Sequence, residues 1–83
     1  MDYETIWESE VKILDVNKPS VIVEKDNTYE GKNKYMVYEW DYSSYTHHCY
    51  SGEESEEKAI DVAMDREQHY KRGIKWKINY LNG

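Results

Sequence analysis

Residues 34–42 alternate between two sets of side chains, and this alternation limits the fold more than any other feature of the sequence. One face of such an extended chain would carry Met36, Tyr38, Trp40 and Tyr42, and the other would carry Tyr35, Val37, Glu39 and Asp41. A period of two with aromatic and β-branched side chains predicts a β-strand. The fold must therefore contain a sheet.

Other segments show weaker versions of the same pattern. Turns are predicted at residues 17–20, where Pro19 lacks a backbone donor, and at Ser43–Ser44, with a loop over 26–33. The segments between and beyond these breaks predict further strands, which cover residues 5–16, 21–24, 45–50 and 74–80.

One helix is predicted over about residues 53–71. Ser51 and Glu54 have capping-box spacing, and Ser55 is an alternative N-cap. Lys71 and Arg72 would complement the negative end of the helix dipole, and Gly73 would follow as the C′ residue.

These elements predict an α+β fold in a single domain, residues 1–83. Its length of 83 residues allows only one small hydrophobic core. We expect a mostly antiparallel sheet of four to five strands with the helix packed on one face, in the order β-β-β-β-α-β.

Charge and cysteine content exclude several classes of protein. The chain has 17 acidic and 11 basic residues, a net charge of -6, which argues against direct binding to nucleic acid. The single cysteine excludes an internal disulfide framework and fits a reducing compartment. No apolar run approaches the ~20 residues of a membrane span. Because the first residues are acidic rather than signal-like, we expect a cytoplasmic protein.

Acidic residues recur every four positions along the predicted helix. This row consists of Glu53, Glu57, Asp61 and Asp65, with Glu54 in the same sector, and Glu39 and Asp41 could enlarge the acidic surface. Because successive members rise by about 6 Å, such a row can imitate the phosphates of a nucleic-acid strand and attract Lys and Arg side chains of a partner. The alternative is a solvated helix face that favours solubility.

Every aromatic residue carries a polar group, because the chain has nine Tyr, three Trp and no Phe. Such residues are enriched in protein interfaces, although they also form the edges of small cores. We expect a partner-binding or homodimer surface that comprises Tyr35, Tyr38, Trp40, Tyr42 and Tyr45. Stacking of nucleic-acid bases is disfavoured, since Lys34 is the only base near this stretch.

The sequence offers little for catalysis or metal binding. The candidate metal ligands are His47, His48, Cys49 and His69. Because adjacent strand residues point to opposite faces, only His47 and Cys49 could lie on the same side of the strand. Glu39 and Asp41 would share a face but have no obvious cleft. We therefore expect no catalytic residues, no cofactor and no metal, and a protein that is not an enzyme.

In size, acid excess, Tyr/Trp content and the row Glu53, Glu57, Asp61 and Asp65, the chain resembles small acidic proteins that bacteriophages make to disable host factors. Some of those proteins are DNA mimics. The resemblance implies an inhibitor that occupies the DNA-binding surface of a basic host protein, such as a nucleoid-associated protein, a repair enzyme, a polymerase or a defence nuclease. The alternative is a structural protein that dimerises through its Tyr/Trp-rich sheet face. The basic last segment, with Lys75 and Lys77, departs from a uniformly acidic mimic.

Overall fold

The protein is described by a computed structural model that covers the backbone of residues 2–82 and the side chains of residues 2–73. The elements in chain order are β1 (Tyr3–Glu8), β2 (Lys12–Ile13), β3 (Lys18–Pro19), β4 (Val21–Asp26), β5 (Tyr35–Asp41), β6 (Thr46–Glu53) and α1 (Glu56–Asn82). This arrangement is α+β, with one helix packed against an antiparallel sheet, and it confirms the predicted fold class.

The main sheet has four strands in the order β1-β4-β5-β6, and every neighbouring pair is antiparallel. Strands β1 and β6 are therefore its outer strands. The segment predicted as one strand over 5–16 is divided between β1 and β2, and β2 pairs with β3 in a separate two-stranded ribbon. Ser9 lies between β1 and β2 and holds the chain there. Its buried hydroxyl accepts a hydrogen bond from the Val21 N–H at 3.0 Å.

The core lies between α1 and one face of the sheet. Val21, Val23 and Val37 from the sheet meet Ala59 and Ala63 from the helix, and all five are fully buried. Because alanine has only a methyl group, the helix backbone can approach the sheet closely. We call this side of the sheet the helix face and the other side the open face.

The helix begins at Glu56, so Glu53 lies at the end of β6 and Glu54 in the bend before the helix. Ser55 is the N-cap, because its Oγ accepts a hydrogen bond from the Lys58 N–H at 3.1 Å. The predicted capping box of Ser51 and Glu54 is wrong, since Ser51 is paired with Val37 inside the sheet.

The predicted final strand over 74–80 is also wrong, because α1 continues through Asn82. Gly73 does not adopt a positive φ and therefore does not end the helix as a C′ residue. An interior glycine costs about 1 kcal/mol relative to alanine, which a long helix can tolerate, and the lysines that follow favour helix. The predicted basic end at Lys71–Arg72 is consequently an interior segment.

Replacing Ser55 with alanine should destabilise the protein by about 1 kcal/mol, because the Lys58 N–H loses its acceptor. Thermal unfolding would show this as a lower melting temperature. Ser55→Asp is the matched control, since aspartate also caps helices and should leave the melting temperature nearly unchanged. Equal melting temperatures for Ser55→Ala and the parent protein would contradict the assignment of this cap.

Candidate functional site

An acidic groove of about 420 Å³ lies between the outer strand β6 and α1. We define it by the carboxylates of Glu53, Asp61 and Asp65, which line it together with Tyr50, Ser51, Lys58 and Val62. Glu53 reaches the groove from the end of β6, where it is paired with Tyr35. Asp61 and Asp65 come from successive helical turns, about 6 Å apart along the axis. The groove therefore brings together three acids that the sequence had placed on a single helix.

Two further acids of the predicted surface, Glu54 and Glu57, do not line this groove. Glu57 is exposed one helical turn before Asp61, and Glu54 is exposed in the bend between β6 and α1. The helical part of the predicted row is thus Glu57, Asp61 and Asp65, all of which are accessible to a partner.

Glu39 is engaged by a cation within the protein. It accepts a hydrogen bond from Arg66 Nε at 2.7 Å, and both side chains are about one-fifth exposed. Burial by itself would lower the pKa of Arg66, but the hydrogen bond and charge of Glu39 outweigh it and raise that pKa. The guanidinium also lies 4.4 Å from the centre of the Tyr50 ring. Glu39 therefore ties β5 to the helix.

Asp41 is used to form the turn between β5 and β6. Its Oδ1 accepts from the Ser43 N–H at 2.9 Å and the Ser43 hydroxyl at 2.7 Å, and its Oδ2 accepts from the Ser44 hydroxyl at 3.0 Å. The Ser43 hydroxyl is the main cause that lowers the pKa of Asp41. Like Glu39, Asp41 has a clear structural role outside the acidic groove.

Positive charge near the acidic groove is limited. Lys58 lines it, but no described carboxylate forms an ion pair with this lysine. Arg66, the next cation along the helix, is paired with Glu39. The side chains of Lys75 and Lys77 lie outside the described residues. Three carboxylates against one ammonium leave the described groove with a net negative charge.

The five predicted aromatic residues are not gathered on one surface. Tyr35 packs against the core on the helix face, and Trp40 on the open face is only 3% exposed. Tyr38 is half-buried on the open face, whereas Tyr42 and Tyr45 are exposed near the β5–β6 turn. The predicted dimer face is therefore interrupted at its centre.

Trp40 is covered by the β2–β3 ribbon and by its own neighbours. The Lys18 ammonium lies 5.8 Å from the ring centre, and the rings of Tyr45 and His47 meet Trp40 edge-on at 5.3 and 5.2 Å. His47 Nε2 donates to the Pro19 carbonyl at 2.7 Å, and the Tyr45 hydroxyl donates to the Asp15 carboxylate. These bonds join the ribbon to the end of the sheet.

The candidate metal ligands are separated by the sheet. His47 and Cys49 lie on the open face opposite Trp40 and Tyr38, whereas His48 lies on the helix face opposite Glu39. His48 Nε2 is 2.8 Å from the Ser44 hydroxyl. Within residues 2–73, no three His, Cys, Asp or Glu side chains are arranged to hold a metal ion.

Tyr70 gives the protein a predictable response to high pH. Its hydroxyl donates to the Trp40 carbonyl, and burial, followed by the charge of Glu39, raises the Tyr70 pKa to about 12. The folded state therefore holds this proton above pH 10, where the unfolded chain releases it. We expect a stabilising contribution that is fully present below pH 10 and is lost as the pH rises toward about 12.

Urea unfolding of the parent protein and of Tyr70→Phe at a series of alkaline pH values measures this contribution. The difference in unfolding free energy between the two proteins should shrink as the pH rises from 10 to about 12. A difference that is constant over this range would show that the Tyr70 proton is not linked to folding.

No protein-family model, curated protein or solved structure matches this chain. Among the described residues, no helix is both long and apolar enough to cross a membrane.

Proposed function

We propose that this chain is a non-enzymatic, acidic protein-binding inhibitor that docks a basic partner against the acidic groove. The observation that carries the proposal is the convergence of Glu53, Asp61 and Asp65 on one groove beside an outer strand. If these acids served only to keep the helix surface soluble, there would be no reason for a carboxylate from β6 to join the two from α1. Charge-assisted hydrogen bonds from Lys or Arg of a partner would be the main polar contacts.

Mimicry of DNA is the form of inhibition that this surface favours. Glu57, Asp61 and Asp65 present exposed carboxylates at a regular rise of about 6 Å. A protein that binds DNA phosphates through Lys and Arg would encounter a similar line of negative charge. The proposed targets are basic host proteins of a bacteriophage-infected cell: a nucleoid-associated protein, a repair enzyme, a polymerase or a defence nuclease. The inhibitor would then act in the host cytoplasm, with no direct contact to nucleic acid or membrane.

Assembly through the aromatic residues is the weaker alternative. Burial of Trp40 and the inward position of Tyr35 leave Tyr38, Tyr42 and Tyr45 to form such an interface. These three do not form a continuous apolar patch, because the β2–β3 ribbon covers the sheet at Trp40.

Capture from a bacterial lysate at low and high salt, with mass spectrometry of the retained proteins, tests the proposal. We expect a basic DNA-binding protein that is released by salt, since exposed charges are screened over about 8 Å at physiological ionic strength. The groove variant Glu53→Gln, Asp61→Asn, Asp65→Asn should fail to capture it.

The matched control is Glu4→Gln, Glu8→Gln, Glu10→Gln, which removes the same charge from exposed positions at or beside β1, the opposite edge of the sheet. This control should capture the partner as the parent protein does. Equal capture by the groove variant and the parent protein would contradict a functional role for the acidic groove.

A further inference from the structure

A second depression, of about 420 Å³, lies on the open face at the end of the sheet remote from Trp40. Three tyrosines from three different segments surround it: Tyr3 from β1, Tyr29 from the loop after β4, and Tyr38 from β5. Asp26, Asn33, Met36 and Gly52 complete its lining. We call this depression the tyrosine pocket. It is independent of the acidic groove, which lies on the other side of the sheet.

Asp26 lies beside the backbone positions that carry two of the three tyrosines. It is paired with Tyr3 across the β1–β4 ladder, where directly opposed side chains lie about 5 Å apart at Cβ. Its Oδ1 accepts from the Thr28 N–H at 3.0 Å, the Thr28 hydroxyl at 2.7 Å and the Tyr29 N–H at 3.2 Å. These bonds fix the turn that carries Tyr29, and among the described residues no hydrogen bond uses Asp26 Oδ2.

Two glycines leave room for side chains that line the tyrosine pocket. The Tyr29 ring lies over Gly31, where an added Cβ would come within 2.4 Å of the ring carbons. A Cβ at Gly52 would meet the Met36 sulfur at 3.3 Å. Neither glycine has a positive φ, so both positions accept other residues without backbone strain. Each glycine therefore supplies space for a neighbouring side chain.

The tyrosine pocket is negative as well as aromatic. Glu24 lies on the same face as Asp26, two residues earlier in β4, and no described Lys or Arg forms an ion pair with either carboxylate. Lys34 is close in the chain fold, since its carbonyl accepts a hydrogen bond from the Asp26 N–H, but its ammonium forms no ion pair with a described carboxylate. Burial raises the pKa of Tyr38, and Cys49, Glu24 and Asp26 raise it further. Glu24 and Asp26 therefore make the surroundings of Tyr38 unfavourable for an anion.

We propose that the tyrosine pocket binds a quaternary ammonium group. The faces of aromatic rings attract cations, and a carboxylate beside them supplies the opposite charge. A primary ammonium has three donors to satisfy, whereas a quaternary ammonium has none and loses little by leaving water for an aromatic pocket. The group could belong to a small molecule such as choline or to a trimethylated lysine side chain.

An NMR titration of the full chain with choline tests the proposal. Resonances of Tyr3, Tyr29 and Tyr38 should shift together in a saturable manner. The neutral isostere of choline, in which carbon replaces the quaternary nitrogen, should bind about tenfold more weakly, because it lacks the cation–π attraction. Equal affinities for choline and the isostere, or shifts elsewhere on the protein, would overturn the proposal.

Two conservative variants separate binding from folding. Gly31→Ala displaces only the flexible end of Tyr29, so thermal stability should be unchanged while choline binding weakens at least about fivefold. Asp26→Asn keeps the oxygen that accepts from Thr28 and removes the charge, so it should also weaken binding. Leu14→Ala, at an exposed position that lines neither the tyrosine pocket nor the acidic groove, is the control and should bind choline normally. Unchanged affinity in both pocket variants would overturn the assignment.

Two further ligands identify the source of the group. A short peptide with trimethyllysine that binds more tightly than choline would assign the tyrosine pocket to a methylated protein, and tighter binding of choline would assign it to a small molecule. The same peptide with unmodified lysine should bind less well than its methylated form. Failure of both choline and the methylated peptide to bind would refute the site, whatever the lysate capture shows for the acidic groove.

Discussion

Reversing the exposed helical acids, as Glu57→Lys, Asp61→Lys, Asp65→Lys, should weaken binding of the captured basic partner at least about a hundredfold while the protein stays folded. The loss is large because the partner's cations would meet like charges in place of carboxylates. Isothermal titration calorimetry with the purified partner measures this affinity, and circular dichroism checks the fold.

Folding should survive this reversal. The three side chains are exposed, and the described residues give them no ion pair that would be broken. The largest loss of stability should come from Glu57→Lys. A positive charge in the first helical turn interacts unfavourably with the helix dipole and lowers the unfolding free energy by roughly 0.3–1 kcal/mol.

A control variant with the same charge distinguishes a local effect from a general one. Three acid-to-lysine changes raise the net charge by 6, from -6 to 0. Glu4→Lys, Glu8→Lys, Glu10→Lys makes the same change at or beside β1. We expect this variant to lose only the part of the affinity that depends on net charge. If both variants lost affinity equally, overall charge rather than the helical row would be responsible.

Ala63→Asp should abolish cooperative folding. Ala63 is fully buried where α1 meets the sheet, and its neighbours in the core are Val21, Val23, Val37 and Ala59. A carboxylate there would have no described cation to pair with, and an unpaired buried charge costs several kcal/mol. A domain of this kind is stable by only about 5–15 kcal/mol in total. The larger side chain would also separate the helix from the sheet.

Met64→Asp is the matched control, because Met64 is the next residue of the helix and is 52% exposed. This variant should unfold cooperatively at close to the parent temperature. Thermal denaturation followed by circular dichroism, together with the dispersion of amide resonances, compares the two proteins. A sharp, native-like transition for Ala63→Asp would mean that the helix does not pack on the sheet as described.

Most of the main sheet could be predicted because its patterns are local. The alternation around Val37 identifies β5, and the run Val21–Ile22–Val23 identifies β4. Ser55 is predictable as a cap because it stands just before the acidic first turn of the helix. The same reasoning is wrong for residues 74–80, because Ile74, Trp76, Ile78 and Tyr80 alternate with polar residues and so predict a strand, whereas the backbone there continues α1.

The site was less accessible to sequence reasoning because it depends on contacts between distant segments. Glu53 joins Asp61 and Asp65 through the packing of α1 beside β6 rather than through helical spacing. Trp40 is buried because the β2–β3 ribbon packs over it, held by hydrogen bonds from His47 to Pro19 and from Tyr45 to Asp15. These pairs are far apart in the sequence, so no local pattern predicts them. The tyrosine pocket likewise combines residues that are far apart in the chain.

Displacement of DNA from the captured partner is the most direct measurement of the proposed function. A fluorescent DNA duplex is first bound to the purified partner, and its anisotropy is followed as this protein is added. We expect the parent protein to release the duplex and the variant Glu57→Lys, Asp61→Lys, Asp65→Lys to leave it bound. A ternary complex, in which the partner holds the DNA and this protein together, would contradict DNA mimicry.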